Sequence, residues 1–133
     1  MNILIIDAQG GGVGKQLVSA IKQHMPQHEI TAVGTNSAAT AAILKAGADN
    51  AATGENAVIV GCRKADVIIG PIGIVIADSM LGEVTPAMAV AVGQSTAKKL
   101  LIPINHCNNV IMGISDLTIG RLTQNVIDEL SKM

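Results

Sequence analysis

Short apolar runs alternate with longer segments of mixed polarity along this chain. Residues 2–6 form a run rich in isoleucine, bounded by Asp7 and glycines, which predicts a buried β-strand. Similar runs predict strands at 29–33, 66–69, 100–104 and 110–114. Segments with apolar residues at helical spacing, or rich in alanine, predict helices at 15–24, 37–45, 54–64, 85–96 and 116–132. Residues 73–81 fit a strand and a helix equally well.

This order of elements predicts a three-layer, Rossmann-like α/β domain over residues 1–133, with a mostly parallel sheet of about five strands. Nearly continuous apolar strands are typical of parallel sheets, because such strands are buried on both faces. Only the polar residues 105–109 separate the last two predicted strands. Since a parallel pair needs a crossover of about a dozen or more residues, we expect the last strand to be antiparallel.

The composition narrows the classes of protein to which the chain can belong. Hydrophobic residues make up 49% and charged residues 14% of the chain, so a disordered chain is not expected. The formal net charge is -1 and Phe, Tyr and Trp are absent from the sequence, which argues against a nucleic-acid-binding protein. No apolar run approaches the roughly 18 residues of a membrane span, and no signal-peptide pattern precedes the first strand. We therefore expect a cytoplasmic protein whose Cys62 and Cys107 are free thiols.

The glycine-rich turn after the first strand is the strongest candidate for a binding site. Glycines allow a ligand to approach the backbone closely, and the helix that follows presents unpaired N–H groups that favour phosphate or carboxylate. The carboxyl ends of the other parallel strands meet at the same edge of the sheet. We therefore expect a small anionic ligand, and no metal ion, at this edge. The predicted binding residues are Gln9, Gly10, Gly11, Gly12, Val13, Gly14, Thr35, Asn36, Asn56 and Gly73.

The turn departs from two well-known phosphate-binding motifs. The dinucleotide pattern G-x-G-x-x-G, started at Gly10, requires glycine where Lys15 stands. The acidic residue expected after the second strand is replaced by Thr35 and Asn36. The P-loop pattern fails because glutamine occupies its first glycine and also its metal-binding hydroxyl position. A nucleotide, a dinucleotide or another phosphorylated metabolite stays open as the ligand, whereas ATPase activity is not expected.

Three residues at the same edge are candidates for catalysis: Asp7, Glu55 and Cys107. Asp7 is either a general base or an acceptor that orients the glycine turn, and Glu55 either contacts a ligand or stabilises a helix N-terminus. Packing in the core is the alternative for Cys107, and we interpret Glu83 as a surface residue.

Three functions remain open: a small-molecule-binding module, a small enzyme acting on a phosphorylated or nucleotide-like substrate, and an oligomeric structural or interaction protein with a vestigial site. The edge is rich in asparagine and poor in charge, which favours binding over acid–base chemistry, because that chemistry needs titratable groups near the substrate.

Six short motifs are spread over nearly the whole chain: DAQGGGVGK at 7–15, GTN at 34–36, ATGENA at 52–57, GPIGI at 70–74, GEVTP at 82–86 and IPINHC at 102–107. Together they resemble a family of short bacterial proteins, domain-of-unknown-function family 3842. The resemblance implies a Rossmann-like fold, and it carries no activity, cofactor or residue role with it.

The helix predicted after Pro86 is apolar on every side, since it reads AMAVAVG over 87–93. A helix that covers a sheet in a small monomer should have a polar outer face. We therefore expect a homo-oligomer, most simply a two-fold dimer through this helix, with Met88 and Val92 in the contact. The alternative is that residues 73–81 cover the helix within the same chain.

Overall fold

Five parallel strands form one sheet in the computed structural model, which describes residues 1–104 and 108–133. The strands are β1 (Asn2–Asp7), β2 (Glu29–Gly34), β3 (Asn50–Thr53), β4 (Val67–Pro71) and β5 (Lys98–Ile102). Their order in the sheet is β3-β2-β1-β4-β5, and every neighbouring pair is parallel. This is the order of the first five strands of a Rossmann-type sheet, in which the direction of winding reverses between β1 and β4.

Helices cover both faces of this sheet. They are α1 (Gly12–His24), α2 (Ser37–Lys45), α3 (Glu55–Lys64), α4 (Pro86–Gln94) and α5 (Ile119–Leu130), and a short 3-10 helix follows β4 at Ile72–Val75. Side chains of β1 alternate between two buried clusters, with Ile3 and Ile5 on one face and Leu4 and Ile6 on the other. Residues of α1 and α5 belong to the first cluster and residues of α3 and α4 to the second. The predicted α/β sheet with helices on both faces is therefore confirmed.

Capping side chains set the boundaries of two helices where the sequence predicts them. The Asn36 side-chain oxygen accepts a hydrogen bond from the Ala39 N–H at 2.8 Å and begins α2. The Thr85 hydroxyl does the same for the Met88 N–H at 3.1 Å, with Pro86 at the start of α4. Both helix starts lie within one residue of their predicted positions.

The predicted antiparallel last strand is wrong. Residues 108–118, which include the predicted strand at 110–114, contain no strand, and β5 pairs in parallel with β4. Val110 and Met112 are 80% and 84% exposed, so the apolar pattern there does not reflect burial in a sheet. Residues 105–107 of the predicted turn lie outside the described residues.

The fifth strand is instead β3, in a segment that the sequence pattern left between two helices. This strand lies at the edge of the sheet, where Ala51 pairs with Ala32 of β2, and its residues are mostly exposed. Alanine and asparagine are poor strand formers, and a strand with little burial has no apolar run that would reveal it.

Residues 73–81 form neither of the two predicted alternatives, because turns follow the 3-10 helix. Ile74 and Met80 pack with Met88 and Val92 of α4 in the second cluster. Met88 is 4% exposed and Val92 0%, so the expectation that these side chains form an intermolecular contact is wrong. Packing within the chain accounts for their apolar character.

Candidate functional site

The carboxyl ends of β1, β2 and β3 lie side by side. The register pairs Asp7 with Gly34 and Gly34 with Thr53. Pairing continues one residue further, since the Thr35 N–H donates to the Asp7 carbonyl at 3.0 Å and the Gly54 N–H donates to the Gly34 carbonyl at 2.9 Å. We call this region the carboxyl edge; Rossmann-type sheets bind their ligands there.

Asp7 ends β1 and holds the glycine turn. The residue is 4% exposed, and its two carboxylate oxygens accept hydrogen bonds from the Ala8 N–H at 2.8 Å and the Gly14 N–H at 2.7 Å. Burial raises the pKa of this carboxyl above its ordinary value of 3.8, the hydrogen bonds oppose the rise, and the charge of Glu83 adds to it. Because both oxygens bind backbone of the turn, this geometry favours the orienting role among the two that the sequence left open.

Two of the four glycines in the turn are required by the fold. Gly11 has a φ of +75°, and a Cβ there would lie 2.9 Å from the backbone oxygen of Ala39. A Cβ at Gly14 would lie 2.8 Å from the Cδ1 atom of Ile43, because α1 packs closely against α2. A side chain at Gly11 would therefore push against the backbone of α2, and one at Gly14 would displace the buried Ile43 side chain.

Gly10 and Gly12 are different, because neither the backbone nor the packing requires glycine there. Neither residue has a positive φ, and an added Cβ would meet no atom within 4 Å at either position. Both residues are exposed on the carboxyl edge. The turn therefore leaves open space beside its backbone at these two positions.

Hydrogen bonds within the chain already engage part of the turn. The Gly11 N–H donates to the Ala8 carbonyl at 3.0 Å, and the Gly14 N–H donates to Asp7. These two groups are therefore not available to a ligand, although the sequence predicted them among its binding residues. Val13, another predicted binding residue, is 8% exposed and packs in the first cluster.

The carboxylate of Glu83 lies on the carboxyl edge, where the sequence predicted only a surface residue. Its Oε1 atom accepts hydrogen bonds from the Gln9 N–H at 2.8 Å, the Thr35 hydroxyl at 2.7 Å and the Asn36 side-chain amide at 2.7 Å. The bond from Gln9, followed by those from the two side chains, lowers the pKa of Glu83 below its ordinary value of 4.5. Glu83 is thus a partly exposed residue that also binds the turn. Since 74 sequence positions separate it from Gln9, no local pattern reveals the contact.

Asn36 joins α2 to the glycine turn. Besides capping the helix, its side-chain amide donates to the Gln9 carbonyl at 3.0 Å and to Glu83. The structure thus places the predicted residues Gln9, Thr35 and Asn36 in one hydrogen-bonded group around the Glu83 carboxylate.

Other predicted residues lie outside this hydrogen-bonded group. Asn56 is exposed in the first turn of α3. Glu55 beside it accepts a hydrogen bond from the Thr85 hydroxyl at 2.7 Å, which ties α3 to the start of α4. Gly73 is buried, and its carbonyl accepts a bond from a serine hydroxyl six residues later.

Further observations concern the cysteines, metal ligands and membrane-spanning helices. Cys107 lies outside the described residues, whereas Cys62 is buried, and burial raises the pKa of its thiol. Within residues 1–104 and 108–133, no group of three or more His, Cys, Asp or Glu residues could hold a metal ion. In the same part of the chain, the helices are too short or too polar to cross a membrane.

Comparison with known proteins identifies the family of this chain. A family model described as "Domain of unknown function (DUF3842)" matches residues 2–133. The chain belongs to the DUF3842 family. This confirms the resemblance that the six motifs indicate, and no curated protein matches this DUF3842 chain.

One solved structure similar to this DUF3842 chain is a dodecameric FMN-dependent UbiX-like decarboxylase from Escherichia coli O157:H7. The two chains are 19% identical and have a TM-score of 0.49. The match covers 98% of this chain and 76% of the other. A similarity this low does not indicate a shared ligand, activity or assembly.

Proposed function

We propose that this protein is a small-molecule-binding module that holds a nucleotide, a dinucleotide or a similar phosphorylated metabolite at the glycine turn. The turn leaves open space beside its backbone at Gly10 and Gly12, where a ligand can approach it. Glycine is costly in an ordered turn because it loses more backbone entropy than any other residue. Gly93 and Gly120 have the same open geometry, but Gly10 and Gly12 differ from them in lying on the turn at the carboxyl edge. A ligand that approaches the backbone there accounts for glycine at both positions.

The surroundings of the two glycines are fixed before any ligand arrives. Asp7 holds Ala8 and Gly14 on one side of the turn, and Glu83 holds Gln9. A turn that is already ordered costs less entropy when it binds, so the same ligand contacts give a higher affinity.

The charges near the turn limit the ligand further. The exposed Lys15 side chain starts close to Gly12, while the carboxylates of Asp7 and Glu83 lie next to the turn. The negative charge of the Glu83 carboxylate beside the turn disfavours a group as highly charged as a triphosphate. A ligand with one phosphate, or with a diphosphate bridge, is therefore a better match.

Gly12→Val tests this proposal, because its side chain would enter the open space, where an added Cβ meets no atom of the chain within 4 Å. AMP, ADP, NAD⁺ and ribose 5-phosphate are screened by thermal shift and measured by calorimetry. We expect at least one of them to bind the wild-type protein and to bind Gly12→Val at least about tenfold more weakly, a change of about 1.4 kcal/mol.

Gly93→Val is the matched control. Gly93 also has ordinary φ and no atom within 4 Å of an added Cβ, but it lies near the end of α4. This variant should bind like wild type, and circular dichroism should show that both variants fold. Binding of none of the probes by the wild-type protein, or equal binding by Gly12→Val, would contradict the proposal.

A further inference from the structure

The Glu83 carboxylate is fixed through one oxygen atom only. All three hydrogen bonds from the Gln9 N–H, the Thr35 hydroxyl and the Asn36 amide end on Oε1. The described residues donate no hydrogen bond to Oε2, and among them no buried side-chain nitrogen or oxygen lacks a hydrogen-bond partner. The Oε2 atom is therefore open to solvent at the carboxyl edge.

The loop that carries Glu83 is held in an unusual conformation. Met80, Leu81 and Gly82 have consecutive φ values of 55°, 58° and 86°, in the left-handed region that non-glycine residues rarely adopt. Leu81 is 96% exposed at the tip, so its own packing does not hold it there. Backbone strain of this kind persists only where surrounding contacts fix it, and it concentrates at ligand-binding positions.

Charge and position together define what Oε2 can bind. It belongs to an ionised carboxylate, which accepts hydrogen bonds and repels anions. Gln9, which binds Oε1, is three residues from Gly12, so the two positions lie within about 11 Å along the chain. A single small ligand can therefore meet both the open glycines and Oε2, with a hydroxyl group and not a phosphate at the carboxylate.

We propose that Glu83 is the specificity-determining residue of the site and accepts hydrogen bonds from the vicinal hydroxyl groups of a ribose-like sugar. This inference rests on the proposed function, and it adds that the ligand carries a sugar diol beside its phosphate. Glu83 supplies from a distant loop the acidic group that Thr35 and Asn36 do not provide after β2, and those two side chains hold it in place.

Glu83→Gln tests the role of Oε2 while preserving the shape of the side chain. The amide oxygen of glutamine can still accept the three hydrogen bonds, whereas the amide nitrogen replaces the accepting Oε2 with a donor. The probes are AMP, 2′,3′-dideoxy-AMP, ribose 5-phosphate and inorganic pyrophosphate, measured by calorimetry on the full chain.

We expect wild-type protein to bind AMP roughly ten- to a hundredfold more tightly than the dideoxy analogue. Glu83→Gln should lose that preference, while its affinity for pyrophosphate should be unchanged or higher because a nearby negative charge is gone. If the sugar and phosphate are sufficient for binding, Glu83→Gln should weaken the binding of ribose 5-phosphate as it weakens that of AMP. If ribose 5-phosphate does not bind, the ligand is a nucleotide.

Two results would overturn the inference while the proposed function stands. Equal binding of AMP and the dideoxy analogue by the wild-type protein would show that Glu83 does not bind the hydroxyl groups. Tighter AMP binding by Glu83→Gln would show that the carboxylate competes with the ligand. If neither these probes nor ADP and NAD⁺ bind either protein, the proposed function is overturned, and this inference with it.

Discussion

At the residue scale, two carboxylates with opposite surroundings shape the carboxyl edge. Asp7 is buried, so burial raises its pKa. Glu83 is partly exposed and accepts three hydrogen bonds on one oxygen, so its pKa is lowered. Asp7 stabilises the turn by accepting hydrogen bonds from the Ala8 and Gly14 N–H groups. Glu83, in the loop that follows the 3-10 helix, stabilises it by accepting one from the Gln9 N–H.

Asp7→Asn should destabilise the protein by about 1–3 kcal/mol, because an amide presents a donor where one of the two backbone N–H groups needs an acceptor. The effect should depend on pH. A raised folded-state pKa means that the stabilising contribution of this carboxyl is complete below the unfolded value of 3.8 and is lost as pH rises through the folded value. Wild type should therefore exceed the variant in stability most at low pH, with a difference that narrows as pH rises.

Urea denaturation of both proteins across this pH range measures the difference. Asp49→Asn is a control of opposite sign, since hydrogen bonds from the Ile30 N–H and then Lys22 lower the pKa of Asp49. The stabilising contribution of Asp49 is present above its unfolded value of 3.8 and is lost as pH falls. A difference for Asp7→Asn that widens as pH rises would contradict the burial argument.

At the scale of elements, the end of β2 is packed against the start of α2. A Cβ at Gly34 would lie 2.5 Å from the backbone nitrogen of Thr40 and would also overlap the Thr40 hydroxyl. That hydroxyl is hydrogen-bonded to Thr53 at the end of β3, at 2.7 Å. One glycine thus allows β2, α2 and β3 to meet beside the candidate site.

Gly34→Ala should therefore destabilise the protein by about 1–3 kcal/mol or more, because backbone atoms and not a flexible side chain must move. Gly93→Ala makes the same chemical change on the exposed side of α4 and should stabilise the protein by about 0.5–1 kcal/mol. Chemical denaturation gives both values. Equal effects of the two substitutions would show that the close contact at Gly34 is absent in solution.

At the scale of the whole molecule, two of the places where apolar side chains remain exposed are candidates for an interface. One is the outward side of α4, where Val90 is 52% exposed although Met88 and Val92 are buried. The other is the segment 108–118, where Val110 and Met112 are 80% and 84% exposed. Exposed apolar surface often marks an interface, so the homo-oligomer remains a prediction. Val90 replaces the buried Met88 and Val92 as the expected contact residue on α4.

Val90→Glu should dissociate a homo-oligomer formed through α4 and leave the fold intact, because this side chain points outward. Met88→Glu should instead unfold the protein, since it would place a charge in the second cluster. Light scattering at micromolar concentration, with circular dichroism, distinguishes these results. A monomeric wild-type protein would contradict the prediction, and dissociation by Met112→Glu alone would assign the contact to 108–118.

The candidate site could be predicted only in part from the sequence. The glycine turn, Thr35 and Asn36 follow from the positions of strand ends in a parallel sheet. The carboxylate between them could not be predicted, because Glu83 reaches Gln9 across 74 sequence positions and the GEVTP motif around it does not indicate that partner. Which glycines are required by packing and which are open likewise depends on α2, whose Ala39 and Ile43 face the turn.

The sequence by itself determined the elements whose burial or capping is local. The run at β1 is apolar because its neighbours cover it on both faces, and Asn36 and Thr85 begin their helices through bonds to backbone three residues away. The tertiary structure alone decided that β3 is a strand and that 110–114 is not, because strand pairing depends on which edge is available and not on apolar character. It also decided the position of Glu83, since hydrogen bonds between distant segments form only after the sheet has brought their backbones together.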